Sequence, residues 1–308
     1  MHIYISGSLA YDRIMTFPGN FSDHILPDKL HILNVCFLVD SLEEKFGGTA
    51  GNIAYTLSLL GEKPLIMAAV GRDFDAYERH LAQLGLPLEG VRQVEQEFTA
   101  GAYITTDSND NQITGFNPGA MKHRAGFEAV NGDPGASLGI VSPGNVDDMV
   151  GYAKLFREKG VPYIFDPGQQ IPALSKENML EALTGSEALV SNDYELEMIC
   201  RALGVEWSEL LGRTKAVVTT LGGEGALVRN GVGEVRTPAV RLEKTVDPTG
   251  AGDAFRAGLL KGLSSGRTLA EASILGAACA SFCVERHGTQ EHTFTREELE
   301  ARMQALQS

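Results

Sequence analysis

The strongest fold signal in this chain is a series of four short apolar runs, LGIVS at 138–142, PYIFD at 162–166, ALVSN at 188–192 and KAVVTTLG at 215–222. A helical pattern follows each of the first three runs, and the hairpin pattern GALVRNGVGEV (225–235) follows the fourth. Strands that alternate with helices form a mostly parallel sheet with helices on both faces. This region therefore predicts an α/β fold.

The N-terminal part adds two strands and a helix to this sheet. HIYISGS (2–8) and PLIMAAVG (64–71) are short apolar runs of the kind that forms buried strands. Between them, GGTAGNIAYTLSLLG (47–61) is a glycine turn that opens a helix with one apolar face and ends at a glycine. We expect these elements to belong to the same large domain.

Two other segments have a different pattern. VCFLVDSLEEKF (35–46) alternates like a half-exposed strand, while TAGAYITT (99–106) and NQITGF (111–116) flank the turn residues DSND. Such strands lie outside a buried parallel sheet, so they predict a small separate sheet, or lid. The predicted boundaries are a large domain at 1–10, 47–97 and 119–308, and lid segments at 11–46 and 98–118.

Composition excludes several classes of protein. The 308 residues carry 26 Lys and Arg against 40 Asp and Glu, a net charge of −14, which disfavours binding to nucleic acid or to anionic membranes. No apolar run approaches the ~20 residues that a membrane span needs, and the N-terminus lacks the pattern of a signal peptide. We expect a cytoplasmic protein with neither nucleic acid nor membrane as a partner.

The segment VDPTGAGDAFRAGLLKGL (246–263) places three small residues, Gly250, Ala251 and Gly252, directly before and within the start of a helix. Free amides at a helix N-terminus attract anions. Asp253 would repel an anion there, unless it takes a proton from an attacking hydroxyl or works beside a metal. The alternative is a glycine turn followed by a favourable first-turn carboxylate, and the spacing leaves both interpretations open.

Two strand ends carry further candidate groups. VSNDYELE (190–197) presents Asn192 and Glu195, which suit Mg²⁺ held through water, or else a helix capping pair. VVTTLGGEGAL (217–227) suits a phosphate cradle or a plain turn. The P-loop and dinucleotide fingerprints are absent from the sequence.

Four motifs in order resemble one family. FGGTAGNIAYTLSLLG (46–61) and DPTGAGDAFRAGLL (247–260), with NDYE (192–195) and TTLGGEGA (219–226) between them, resemble the ribokinase-like, phosphofructokinase B type, carbohydrate and nucleoside kinases. The resemblance covers nearly the whole chain. It implies a three-layer α/β/α ribokinase-like sandwich with a mostly parallel central sheet and a small β-sheet lid.

A narrower resemblance concerns the acceptor. GSLAYDRIMTFPGNFSDHILPDKLH (7–31), FLVD (37–40) and FNPGAM (116–121) resemble the bacterial, mycobacterial-type adenosine kinases. These transfer the γ-phosphoryl of ATP to the 5′-hydroxyl of adenosine, in purine salvage. The alternatives are a kinase of the same family for a sugar or another nucleoside, and a non-catalytic nucleoside sensor.

The resemblance implies roles on the phosphate side. Asp253 would be the general base and the amides of Gly250, Ala251 and Gly252 the anion hole, with Arg256 as a nearby cation. Asn192 and Glu195 would organise Mg²⁺ through water, and Asp247 and Thr249 match positions of a potassium site. The ATP site would comprise Asn192, Thr219, Thr220, Leu221, Gly222, Gly223, Gly225, Gly252 and Gly288.

It also implies an acceptor site. Asp12, Gly48 and Asn52 would bind the ribose hydroxyls, and the purine would lie among Ser8, Cys36, Phe37, Tyr103, Phe116, Gln169 and Gln170. We expect Phe37 and Phe116 to face each other across the base, although aromatic residues on half-buried strands more often belong to a core. Cys36 stands where the mycobacterial-type enzymes usually have a hydroxyl residue. GRDFDAY (71–77) lacks a glycine that is common in the wider family, so Asp73 and Asp75 receive no catalytic role. The unpaired strands of the lid suggest a homodimer.

Overall fold

The computed structural model describes residues 1–126 and 130–306. Its strands are β1 His2–Ser6, β2 Ala10–Thr16, β3 Ser41–Gly47, β4 Leu65–Gly71, β5 Val91–Val94, β6 Ala100–Thr106, β7 Gln112–Asn117, β8 Ser137–Val141, β9 Tyr163–Phe165, β10 Ala188–Asn192, β11 Ala216–Thr220, β12 Ala226–Asn230 and β13 Gly233–Thr237. Its α-helices are α1 Thr49–Leu59, α2 Asp75–Gln83, α3 Val146–Lys159, α4 Lys176–Leu183, α5 Asp193–Leu203, α6 Ala251–Ser264, α7 Leu269–Cys283 and α8 Arg296–Ala305.

Within the described ranges, nine strands form the main sheet in the order β13-β12-β11-β10-β9-β8-β1-β4-β5. The seven strands from β11 to β5 are parallel, and the hairpin β12–β13 adds an antiparallel edge. The predicted strands are all present, and the prediction of a mostly parallel sheet is confirmed. The short edge strand β5 was not predicted, and neither was β2 of the second sheet.

Side-chain alternation in β1 shows that helices cover both faces of this sheet. Ile3 and Ile5 pack in a core with α1, α2, α6 and α7. Tyr4, between them, packs in a second core with α3, α4 and α5. Successive strand residues point to opposite faces. Each core therefore lies between the sheet and one layer of helices, and the fold is a three-layer α/β/α sandwich.

Four strands of the described chain form a second sheet, in the order β3-β2-β6-β7. β2 pairs parallel with β6, and β2–β3 and β6–β7 are antiparallel. The strand predicted over 35–46 begins only at Ser41, which pairs with Thr16. The amide of Asp40 still donates to Thr16 O at 2.9 Å. Pro18 follows β2 closely and has no amide to donate, so it cannot extend the ladder towards residues before Asp40.

The close contact of α6 with α7 fixes the helix that carries the glycine-rich motif. A Cβ on Gly258 would lie 2.7 Å from the Cα of Gly276, so only glycine permits this approach. The C-terminal region also contains α8, which begins with a capping box formed by Thr295 and Glu298. Over the described ranges, no helix combines the length and apolarity that a membrane crossing requires.

Candidate active site

A cavity of about 540 Å³ lies between the carboxyl edge of the main sheet and the second sheet. Its walls come from the loops after β1 and β9, the starts of α1 and α6, and strands β2 and β7. The lining residues are Ser8, Ala10, Asp12, Gly48, Thr49, Asn52, Phe116, Pro118, Met121, Pro143, Gln169, Gln170, Thr249, Gly250, Asp253 and Thr289. Most of the predicted acceptor residues therefore share one cavity with Asp253.

The glycine-rich motif forms the start of α6 at this cavity. Gly250 is the N-cap with φ of 82°, a left-handed conformation that favours glycine. The amide of Ala251 donates to Pro248 O at 3.2 Å, whereas the amides of Gly250 and Gly252 have no hydrogen-bond acceptor among the described residues. Two of the three predicted amides therefore remain available to an anion.

Asp253 lies in the first turn of α6 at the cavity. Asn52 Nδ2 donates to its Oδ2 at 2.8 Å. Burial raises the pKa of Asp253 to about 7, although the Asn52 hydrogen bond and the nearby Arg256 cation lower it. A carboxylate with a pKa near neutrality suits a general base, because a large share of it is ionised at neutral pH and that form accepts a proton readily.

A buried ion pair lies behind Asp253. Arg256 Nη2 donates to Asp166 Oδ1 at 2.7 Å, and Arg256 Nε contacts the other carboxylate oxygen of Asp166. Arg256 Nη1 also donates to Gly252 O at 3.0 Å. The predicted cation is thus held by a carboxylate, and Asp166 is a residue that sequence reasoning missed. The sequence feature that could have identified Asp166 is its position directly after the strand PYIF, at the carboxyl edge of the sheet.

Asp12 and Asn52 approach the cavity from a strand and a helix. Asp12 lies on β2 of the second sheet, and Asn52 lies in the first turns of α1. Burial raises the pKa of Asp12, and the negative charge of Asp247 raises it further. Together they present carboxylate oxygens and an amide to the cavity, which can hydrogen-bond two neighbouring hydroxyls.

Tyr103 does not reach the cavity, contrary to the prediction. In the β6–β7 register, Ala102 pairs with Phe116 and Tyr103 pairs with Gly115, so Tyr103 and Phe116 project from opposite faces. Arg13 Nη1 donates to the Tyr103 hydroxyl at 2.9 Å on that other face. The strand period therefore separates two aromatic residues that the sequence had placed together.

The predicted pair of Phe37 and Phe116 is also absent from this structure. Phe37 packs against Phe17 and Phe21, with ring centroids 4.9 and 5.0 Å apart. Cys36 is exposed and lies outside the cavity lining. Of the three aromatic side chains predicted around the purine, Phe116 is the one that lines the cavity, because the aromatic residues of the long β2–β3 connection pack against one another.

Asn192 and Glu195 form a capping box at the start of α5. The amide of Glu195 donates to Asn192 Oδ1 at 2.7 Å, and the amide of Asn192 donates to Glu195 Oε2 at 2.8 Å. Of the two predicted roles for these residues, a helix capping pair is therefore the one present. Arg256 Nη2 lies 3.9 Å from Glu195 Oε2. No group of three or more His, Cys, Asp or Glu side chains in the described ranges has metal-binding geometry.

The residues predicted for ATP after β11 lie next to Asn192, whereas Gly252 belongs to α6 and Gly288 to the loop that follows α7. Asn192 and Thr220 are register partners at the ends of β10 and β11. A tight turn follows, with Gly222 and Gly225 at φ of 54° and 91°, and it includes the predicted Leu221 and Gly223. Thr219 is buried and accepts a weak hydrogen bond from Arg229 Nη1 at 3.4 Å. A Cβ on Gly222 would meet no atom within 4 Å, so this turn has open space beside it.

Asp247 ties two loops together at the edge of the cavity. Its Oδ1 accepts from the amide of Thr249 at 2.9 Å, and its Oδ2 accepts from the amide of Gly288 at 3.1 Å. Burial alone would raise the pKa of Asp247, but these two amides lower it. The carboxylate is therefore ionised and holds the glycine-rich loop against the loop that carries Gly288.

Comparisons with known proteins identify the family of this chain. The family model described as pfkB family carbohydrate kinase matches residues 21–296. A nucleoside kinase of Methanocaldococcus jannaschii is 32% identical over 283 residues, covering 88% of this chain and 89% of that protein.

Two solved structures of a nucleoside kinase from Burkholderia thailandensis are also similar. The complex with inosine has a TM-score of 0.85 at 38% identity, covering 99% of this chain and 97% of that one. The complex described as ADP-inosine has a TM-score of 0.83 at 40% identity, covering 99% and 95%. The fold is ribokinase-like, as predicted, and the chain belongs to the PfkB family of carbohydrate kinases.

Proposed function

We propose that this kinase transfers the γ-phosphoryl of ATP to the 5′-hydroxyl of a purine nucleoside, with adenosine as the acceptor that the sequence favours. The main support is that Asp12, Asn52 and Asp253 line one cavity, together with the start of α6 and its free amides. Asn52 is also hydrogen-bonded to Asp253. A ribose bound by that pair would present its 5′-hydroxyl towards Asp253. The product would enter purine salvage as a nucleoside monophosphate.

Each part of the site would have one task. Asp253 would take the proton from the 5′-hydroxyl as the oxygen forms a bond to the γ-phosphorus and the bond from that phosphorus to the bridging oxygen breaks. The amides of Gly250 and Gly252 would donate to the transferring phosphoryl oxygens, with Ala251 as their link in the turn. Arg256 adds a fixed positive charge behind them, held in place by Asp166.

The donor residues fit a nucleotide with its metal. The turn after β11 has open space beside Gly222, and oxygen atoms of Asn192 and Glu195 are the kind of ligand that Mg²⁺ accepts through water. Mg²⁺ would neutralise charge on the nucleotide phosphates. Asn192 and Glu195 would hold the Mg²⁺ ion through water. The two hydrogen bonds of their capping box keep both side chains at the end of β10.

The cavity also supports inosine as an acceptor. Gln169 and Gln170 line it, and Gln170 Nε2 donates to Gly144 O, which leaves Gln170 Oε1 as an acceptor. An acceptor there suits the amine of adenine or the N1–H of hypoxanthine. The similarity to a nucleoside kinase solved with inosine supports the second of these.

We expect the second sheet to act as a lid, with segments 11–46 and 98–118 moving against the rest of the chain. Closing it over the cavity would exclude water and limit hydrolysis of ATP. Its edge strands β3 and β7 have no outer partner in the described chain, which supports a homodimer formed through this sheet.

The proposal is tested by measuring ADP release from MgATP with adenosine, inosine, guanosine, ribose and fructose as acceptors, and by identifying each product by mass. We expect AMP from adenosine and IMP from inosine at the highest kcat/KM. A preference for ribose or fructose would contradict the nucleoside assignment, and a lack of turnover with every acceptor would favour a sensing role.

Replacing Phe116 tests the purine platform. We expect Phe116→Ala to raise the nucleoside KM about 10-fold with little change in kcat, because stacking of a base on an aromatic ring is worth ~1–3 kcal/mol. Tyr103→Ala is the matched control, since Tyr103 lies on the same hairpin but on its other face. Equal effects of the two substitutions on KM would contradict this assignment.

Asp247 and Thr249 carry a further prediction about potassium. A monovalent cation beside the loop that Asp247 holds would stabilise the adjacent anion hole. We therefore expect turnover to rise when K⁺ replaces tetramethylammonium at constant ionic strength. Equal rates in the two salts would argue against a potassium site.

A further inference from the structure

A continuous chain of hydrogen bonds reaches Asp253 from a residue that no sequence motif marked. Gln290 Nε2 donates to Asn52 Oδ1 at 3.0 Å and to the Tyr77 hydroxyl at 2.7 Å. Tyr77 in turn donates to Gly47 O at 2.7 Å. Asn52 Nδ2 donates to Asp253 Oδ2 at 2.8 Å. The chain thus runs from the end of β3, through Gln290, to the proposed base.

The direction of every hydrogen bond in this series follows from the backbone carbonyl of Gly47 at its end. A backbone carbonyl only accepts, so the proton of the Tyr77 hydroxyl points to Gly47 and the Tyr77 oxygen accepts from Gln290. The amide nitrogen of Gln290 therefore faces Asn52 and meets its carbonyl oxygen. The Asn52 amide nitrogen is then left to face Asp253.

We propose that Gln290 is a positioning residue, which fixes the side-chain amide of Asn52 so that Nδ2, and not Oδ1, faces Asp253. The inference rests on the proposed role of Asp253 as general base. With the Asn52 amide reversed, a carbonyl oxygen would meet a carboxylate, and Asp253 would lose its hydrogen-bond donor.

The surroundings of Gln290 leave its side chain little freedom. It is buried, and its Oε1 lies 3.0 Å from His80 Nε2, so its carbonyl and both amide hydrogens have partners. His80 stacks on Phe46 with ring centroids 4.3 Å apart. A Cβ on Gly51 would lie only 1.9 Å from the Tyr77 hydroxyl, so α1 packs directly against this group.

A change at Gln290 should reach Asp253 through Asn52 and not through another charge. The titratable groups around Asp253 are Arg256 on α6, Asp166 after β9, Glu195 on α5, Tyr77 on α2 and Cys283 on α7. Among these five, Tyr77 alone contacts Gln290, and burial raises its pKa, so it stays neutral. His80 contacts Gln290 as well, and burial lowers its pKa.

The test is Gln290→Met, which keeps the length of the side chain and removes its donors. We expect the pKa of Asp253, followed by carbon-13 NMR of the free protein and assigned by its absence in Asp253→Asn, to rise by ~0.5–1 unit. We also expect kcat to fall about 10-fold, with the acidic limb of its pH profile moved in the same direction. An unchanged Asp253 pKa would overturn the proposal.

His292→Leu is the control for a purely structural effect. His292 is also buried, lies two residues away and contacts α1 through Thr56, but it has no contact with Asn52. We expect His292→Leu to leave the Asp253 pKa unchanged, and a shift equal to that of Gln290→Met would overturn the proposal.

If Gln290→Met does not fold, Gln290→Glu is the second variant, because an ionised carboxylate cannot donate to Asn52 Oδ1. Its added charge acts in the same direction, so an unchanged pKa again overturns the proposal.

The NMR titration separates this inference from the proposed function. It needs no acceptor, so the role of Gln290 in orienting Asn52 is measured even if no nucleoside is phosphorylated. Failure of the acceptor panel with a shifted pKa would reject the nucleoside assignment alone. An active nucleoside kinase with an unshifted pKa would reject the role of Gln290 alone.

Discussion

Asp253→Asn is expected to lower kcat for the nucleoside at least ~100-fold while leaving nucleoside binding nearly unchanged. The asparagine keeps the shape of the side chain, and its carbonyl oxygen can still accept the hydrogen bond from Asn52. It cannot take a proton from the attacking hydroxyl. Steady-state turnover and calorimetric binding of the nucleoside measure the two quantities separately.

The pH profile gives an independent check on the same residue. Because burial raises the pKa of Asp253 to about 7, the base is protonated below that pH, and wild-type kcat should rise with pH through this range. The residual activity of Asp253→Asn should lack this rise. Asp75→Asn is the matched control, since Asp75 is an exposed aspartate in the first turn of α2. Turnover of Asp253→Asn close to that of wild type would remove Asp253 from the mechanism.

Arg256→Met is expected to destabilise the fold by ~3–5 kcal/mol, because removing one partner of a buried ion pair leaves an uncompensated charge. Asp166 is 1% exposed and Arg256 6%, so water cannot replace the lost partner. Burial raises the pKa of Asp166 to about 6 even with Arg256 beside it. Without Arg256 this pKa should rise further. Urea unfolding at neutral pH measures the change in the free energy of unfolding.

The double variant Asp166→Leu with Arg256→Met separates charge from packing. Replacing both partners of a buried pair by apolar residues is often close to neutral, so we expect it to be more stable than Arg256→Met alone. We also expect its kcat to be lower than that of the wild type, because the positive charge behind the anion hole is gone. A double variant no more stable than Arg256→Met would show that packing, and not the unpaired charge, causes the loss. Arg201→Met, on an exposed pair with Glu197, is the control, with an expected cost of ~0–1 kcal/mol.

Local patterns predicted much of this molecule because they act over few residues. The strand and helix order follows from hydrophobic periodicity, and the start of α6 follows from Gly250, whose left-handed conformation needs glycine. The boundary of β3 was wrong because a strand needs a partner, and the partner strand β2 ends at Thr16. A pattern in one segment does not contain that information.

The sequence by itself determined the α/β architecture, the second sheet and the glycine-rich helix start with Asp253 in its first turn. The tertiary structure decided which side chains meet there. Gln290 and Asn52 are 238 residues apart, and Asp166 and Arg256 are 90 apart. Tyr103 lies outside the cavity, contrary to the prediction, because register and the two-residue period of a strand fix which face a side chain occupies. The raised pKa of Asp253 likewise depends on burial and on neighbouring charges, which exist only after distant segments have packed together.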